Sequence, residues 1–137
     1  MARGSPDFQP WNAVQRFAAT GGATPYEQKA TIAANVAEVG ATATVMTLAK
    51  GFVSHVWLKF PTGSVGLMHI AIYNEATKLW PGVPTQWFTG DNEVVEFDTE
   101  YDVPLVAAAY QLTIKGWNED DSYEHSVIAR VWVIALP

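Results

Sequence analysis

Between Leu105 and Leu136 two long segments of alternating residues flank a short acidic turn, and any fold proposed for this chain has to accommodate them. In the first, Val106, Ala108, Tyr110, Leu112 and Ile114 share one face, and Ala107, Ala109, Gln111, Thr113 and Lys115 share the other. That period of two is the pattern of a half-buried strand. In the second, Ser126, Ile128, Arg130, Trp132 and Ile134 alternate with His125, Val127, Ala129, Val131 and Val133, and both faces are largely apolar. A strand covered on both sides belongs in the middle of a sheet or against a partner, so Val127 to Leu136 is expected to be central or interfacial. The intervening Trp117-Asn118-Glu119-Asp120-Asp121-Ser122 is rich in side chains that bond their own backbone, which predicts a turn and makes the whole stretch read as one long hairpin.

The same period recurs upstream. Phe52, Val56, Leu58 and Phe60 fall on one face of a strand, with Val53, His55, Trp57 and Lys59 on the other. Pro61-Thr62-Gly63 then supplies a turn. Val65 to Tyr73 follows with Met68, Ile70 and Ile72 on one face, and the two segments read as a second hairpin. Thr31 to Thr47, interrupted by Gly40, reads as two strands or a strand and a loop, because its Thr and Val residues are β-branched. Periodicity stops from Asn74 to Asn92, a long loop carrying Trp80, Trp87 and Phe88, and resumes briefly at Glu93 to Asp98. Six to eight strands and no strong helix in the body predict an all-β fold, an antiparallel β-sandwich of jelly-roll-like type. The cysteine pair of a true immunoglobulin domain is missing, since the chain has no cysteine.

Residues 1–28 have another texture. Pro6, Pro10, Pro25, Gly4, Gly21 and Gly22 break them up, while Phe8, Trp11, Phe17 and Tyr26 recur through them. Disordered tails are poor in aromatics, so the expectation is an extended N-terminal arm that docks on something, with the sandwich occupying 29–137. Asn12 to Thr20 has the makings of a short helix within it.

Composition bears on what the chain meets. Charged residues make up only 16% of it and hydrophobic ones 49%, whereas about 25% charge is usual. So charge-poor a surface suits a protein whose neighbours cover it, although a monomer tolerating apolar surface stays open. The net charge is -6 and the eight Lys and Arg residues are scattered, which argues against nucleic acid as a partner. No apolar run reaches the roughly 18 residues of a membrane span. His55, His69 and His125 show no metal-ligand spacing, and the acidic turn at Asn118 to Asp121 lacks the alternating order of a calcium loop. No nucleophile or phosphate-binding motif is present, so neither enzyme activity nor a cofactor is expected. Candidate interface residues are the aromatics Phe8, Trp11, Phe17, Trp80, Trp87, Phe88 and Trp132. The alternative is a carbohydrate-binding module that stacks sugars on exposed Trp residues of the 74–92 loop, with Trp57 as a further ring.

Gly66-Leu67-Met68-His69-Ile70-Ala71-Ile72-Tyr73, the Leu79-Trp80-Pro81 loop, Leu112-Thr113-Ile114-Lys115-Gly116-Trp117-Asn118 and Tyr123-Glu124-His125 together resemble small β-sandwich proteins of tailed-bacteriophage virions. The likeness spans residues 40 to 137 and is one of texture and strand layout. It implies a capsid decoration or minor structural protein on the virion, multimeric, with a terminal arm that contacts neighbours such as the major capsid protein. The threefold positions of capsid surfaces favour a trimer on the same ground. No functional residue is carried over by it.

Overall fold

Alternating strands need a second layer to cover their apolar side, and here the chain supplies it by folding into two facing sheets. The computed structural model describes residues 22–106 and 108–135, which form β1 (Ala23–Ile32), β2 (Thr42–Leu48), β3 (Gly51–Lys59), β4 (Met68–Asn74), β5 (Thr77–Trp80), β6 (Val94–Asp102), β7 (Leu105–Val106), β8 (Ala109–Asn118) and β9 (His125–Ala135). Sheet A has the order β1-β9-β3-β6, and sheet B has the order β2-β8-β4-β5 with β7 paired to β8. Every pairing is antiparallel. Successive long strands mostly alternate between the sheets, which is the jelly-roll-like order of a β-sandwich.

That alternation corrects both expected hairpins. β8 and β9 lie in opposite sheets, as do β3 and β4, so the turns between them cross the rim of the sandwich. Period-two patterning reports which side of a strand is buried but not which strand it pairs with. The tight hairpins are elsewhere. β5 folds back on β4 inside the segment expected to be loop, and β7 folds back on β8 through a turn where Ala108 takes φ 68°. The first arm of the expected long hairpin is thus two strands.

The core lies between the sheets. Sheet A contributes Ala30 and Ile32 of β1, Val127, Ala129, Val131 and Val133 of β9, and Val53, Val56 and Leu58 of β3. Sheet B contributes Met46, Leu48, Met68, Ile70, Ile72, Leu112 and Ile114. β9 is the central strand that its two apolar faces predict, flanked by β1 and β3. A register shift between Val53 and His55 puts an extra residue, Ser54, into β3 against β9. Such a bulge switches the parity of the strand, so Val53 joins Val56 and Leu58 in the core and Phe52 turns to the outer face, the reverse of the simple alternation. Gly116 of β8 faces inward where the sheets come close. A Cβ there would stand 2.7 Å from Ile70 Cδ1 and 2.8 Å from Ile32 Cδ1.

β1 begins at Ala23 and pairs with β9 through its whole length, from Ala23 opposite Ile134 to Ile32 opposite His125. The expected boundary between arm and domain at 28/29 therefore falls inside a strand. Pro25 is tolerated because β1 is an edge. The possible helix at Asn12 to Thr20 lies outside the described residues.

One buried polar side chain holds the crossing turns. Asn118, 1% exposed, donates from Nδ2 to the carbonyls of Tyr123 at 3.0 Å and Ala33 at 3.2 Å, and its Oδ1 accepts the Asp120 N–H at 3.0 Å. Its backbone exchanges hydrogen bonds with Val36 at 2.9 and 3.1 Å. The connection after β1 and the acidic turn after β8 are thus fastened together at one residue.

Candidate functional site

The two sheets leave two outer faces, and both carry aromatic side chains set among charges. On sheet A, register places Trp57 beside Arg130 and Glu27 opposite Arg130, while His55 stands beside Trp132. The Arg130 guanidinium lies 4.7 Å from the Trp57 ring centre and 5.9 Å from that of Trp132. It also donates to Glu27 Oε1 from Nε at 3.0 Å and from Nη2 at 2.5 Å. A flat cation between rings is favoured by the ring quadrupoles, and here the carboxylate orients it. His55 spans two carboxylates of β6, Nδ1 to Asp98 at 2.7 Å and Nε2 to Glu96 at 2.9 Å, with its ring edge-on to Trp132.

This arrangement shifts one titration. Burial pulls the His55 imidazole down, but the hydrogen bonds that its ring donates to Asp98 and Glu96, together with their charges, outweigh it and hold the pKa above the ordinary 6.5. Folding favours the charged ring, so its stabilisation is complete below 6.5 and is lost as the pH rises through the higher folded value. An NMR titration of the His55 ring should show a midpoint above 6.5, moving down in Glu96→Gln. A midpoint at or below that of a free histidine would contradict the geometry.

On sheet B the rings form a ladder. His69 stacks flat on Trp117 with centroids 3.7 Å apart, Trp87 stands edge-on to Trp117 at 6.1 Å, and Tyr73 tilts against Trp87 at 6.3 Å. Cations cap it, with Lys115 4.3 Å from the Tyr73 ring centre and Lys78 4.6 Å from that of Trp87. Trp87 Nε1 donates to Glu38 at 2.9 Å, and His69 Nε2 meets Glu119 at 2.6 Å. Lys78 also donates to the carbonyls of Val83, Pro84 and Gln86, which ties down the loop that brings Trp87 here. Desolvation lowers the Lys78 pKa, opposed by the nearby Glu38 charge. Trp117 Nε1 is buried with no hydrogen-bond partner.

The candidate aromatics divide accordingly. Trp132 and Trp87 sit on the outer faces of sheets A and B. Trp80 and Phe88 turn the other way and pack on the rim of the core, Trp80 edge-on to Phe97 and Tyr101 at 5.7 Å each, Phe88 against Phe97 at 5.9 Å. Phe88 further exchanges backbone bonds with Ile70 at 2.8 and 2.9 Å, so these two rings anchor the long loop. Phe8, Trp11 and Phe17 lie outside the described residues. Trp57, Trp117 and Tyr73 belong to the same surfaces. Trp57 had a signal in the sequence, its place beside His55 and Lys59 on one side of a strand, whereas Trp117 stood in the expected turn and is the penultimate residue of β8.

The acidic turn is occupied with its own backbone. Asp120 Oδ1 accepts from the N–H of Ser122 at 3.0 Å and of Tyr123 at 3.2 Å, and Oδ2 meets His125 Nε2 at 2.8 Å. The Ser122 bond, then that from His125, hold its carboxyl below the usual carboxylate range. Among the described residues no group of three or more His, Asp or Glu side chains comes together as a metal-ligand set.

Fold and faces together define the chain as a two-sheet antiparallel β-sandwich with aromatic outer surfaces. No family model and no curated protein matches it. Among solved structures it is similar to a chain of the cyanophage Pam1 capsid asymmetric unit, with a TM-score of 0.53 and 13% identity over 82% of this chain and 84% of that one. At this identity the likeness shows a shared fold. A chain of the Bacillus endospore appendage pili aligns at a TM-score of 0.36 and 17% identity over 85% of this chain and 93% of that one.

Proposed function

We propose that this protein is a non-enzymatic structural component of a virion, a decoration or minor protein of the capsid surface. It assembles through its sandwich and N-terminal arm with further copies of itself and with the major capsid protein. The fold shared with a capsid chain over most of both lengths carries the reading. Two observations on the molecule itself support it. Both outer faces present aromatic side chains, the residue type enriched at interfaces, and Val45, Val65, Leu105 and Tyr123 are exposed besides. Only 16% of residues are charged, so a subunit covered by neighbours is better served by this surface than an isolated one.

A trimer is the favoured assembly, because capsid surfaces offer threefold positions. Light scattering at micromolar concentration should give a mass that is a multiple of the 15.0 kDa chain. Trp132→Glu or Val45→Asp should return it towards the monomer if the respective face is buried in the oligomer. A 15.0 kDa monomer that also fails to bind a capsid shell would overturn the proposal. The carbohydrate-binding alternative now rests on Trp87 alone among the loop tryptophans, since Trp80 packs inward. Glycan-array binding lost in Trp87→Ala would replace the structural reading with that one.

A further inference from the structure

Two open sheets have four edges, and three of those in this sandwich carry residues that discourage further pairing. β1 holds Pro25, which has no N–H to offer, and exposes Glu27 and Lys29. In β6 every second residue from Glu96 to Asp102 is acidic, while β5 is only four residues long and includes Lys78. The fourth edge is β2. Its seven residues, Thr42 to Leu48, include no charge, no proline and no glycine, and Thr42, Thr44, Val45 and Thr47 are β-branched. All seven keep an unbroken register with β8, from Thr42 opposite Gly116 to Leu48 opposite Tyr110, and among the described residues no strand pairs with β2 on its other side. Met46 and Leu48 turn into the core, while Ala43, Val45 and Thr47 form an exposed outer row. A straight, neutral edge of this kind presents a row of backbone donors and acceptors to any strand laid beside it.

We infer that two copies of this chain join through β2, antiparallel and about a two-fold axis at Val45, so that sheet B of one continues into sheet B of the other. Val45 is the middle residue of the seven, which makes the strand complementary to itself. Thr42 meets the partner's Leu48, Ala43 the partner's Thr47, Thr44 the partner's Met46 and Val45 the partner's Val45. The outer row thus pairs with its own reverse, and β-branched residues directly opposite each other support such a pairing. No charge enters either row, which matters for a chain of net charge -6 whose copies otherwise repel. The other three edges are poorer partners, since each would set a charge, a proline or a short strand against β2. A head-to-tail joint to one of them also leaves a bare β2 at the end of every open row of subunits, whereas a two-fold joint uses up both edges at once. The inference rests on the self-assembly part of the proposed function and names its surface, without needing the virion. Threefold contacts made elsewhere on the chain are compatible with it, because a two-fold joint between trimers gives a hexamer.

Because residue 45 meets residue 45, opposite charges placed there should rescue each other. At micromolar concentration, light scattering of the natural chain should give an even multiple of 15.0 kDa. Val45→Lys and Val45→Glu, each alone, should halve that mass, since each sets like charges against one another at the axis. An equimolar mixture of the two should restore it, and recovery on mixing also shows that both variants are folded. Val45→Cys tests the same register without a charge. The natural chain has no cysteine, so mild oxidation should link this variant into a disulfide dimer, whereas Val65→Cys, on an exposed turn at the rim, should stay unlinked. Variants that keep the natural mass, cooperatively melting variants whose mixture stays at half mass, an odd multiple for the natural chain, or linkage no faster at position 45 than at 65 would each overturn the inference. An oligomer that ignores every change at position 45 leaves self-assembly standing through another surface, while a natural chain of 15.0 kDa overturns self-assembly as well.

Discussion

Asn118→Asp is expected to lower the stability of the folded chain by about 3–5 kcal/mol at neutral pH, a large part of the roughly 5–15 kcal/mol that a domain this size possesses. The native side chain is 1% exposed and points its amide hydrogens at the carbonyls of Ala33 and Tyr123. Aspartate keeps the shape but removes the amide donors and puts a carboxyl, ionised at pH 7 in the unfolded chain, against two carbonyl oxygens. Burying an unpaired charge costs more than losing a neutral hydrogen bond, so the carboxyl stays protonated to unusually high pH. Its folded pKa is therefore raised. The variant comes closest to the natural protein below the ordinary carboxylate pKa and falls behind as the pH rises through the folded value. Asn118→Leu removes the same donors without a charge and should cost about 1–3 kcal/mol with no such pH dependence. Thermal unfolding at pH 4 and pH 7 checks this. A drop of more than about 10 °C is expected for the aspartate variant at pH 7. Equal loss at both pH values would show that the missing amide donors, and not the buried charge, are what costs stability at this position.

Asn118 also marks where legibility from sequence ended. Its position in an Asn- and Asp-rich segment is enough to predict a turn, because the local bonds to Asp120 and Tyr123 are made within five residues. The bond to Ala33 joins parts of the chain 85 residues apart, and nothing local encodes it. The same division runs through the strands. Val127, Ala129, Val131 and Val133 announce a buried face, and β9 is central as its two apolar sides require. Its partners β1 and β3 were not legible, since pairing depends on how turns cross the rim. Parity failed at Ser54, where one inserted residue moved Phe52 to the outside. The faces were half legible. Trp132 and Trp87 stood out as rings, but that Arg130 lies between Trp57 and Trp132, or that His69 stacks on Trp117, follows only from strands being brought into register.

Deleting residues 1–28 is expected to abolish cooperative folding or leave an insoluble product, whereas deleting 1–21 leaves every described strand whole. The sequence alone suggested that both cuts lie within a dispensable arm. The pairing of Ala23 to Gln28 with Ile134 to Ala129 changes that for the longer one. It removes six of the ten residues of β1, and with them Tyr26, which packs on the core, and Glu27, which orients Arg130. The free energy lost should exceed about 3 kcal/mol, from the apolar area of Tyr26 together with the ladder bonds. The consequence for solubility is larger. β9 would then present an unpaired edge along Ala129 to Ile134, a run of Val, Trp and Ile with one Arg, and bare edges of that composition recruit other strands. The shorter deletion should keep a single cooperative transition. Circular dichroism melts and sedimentation of the two truncated chains separate these outcomes. A soluble protein from 29 to 137 that melts cooperatively at the natural midpoint would show that β1 adds nothing to the sandwich before Lys29, and the role assigned to its first half would have to be withdrawn.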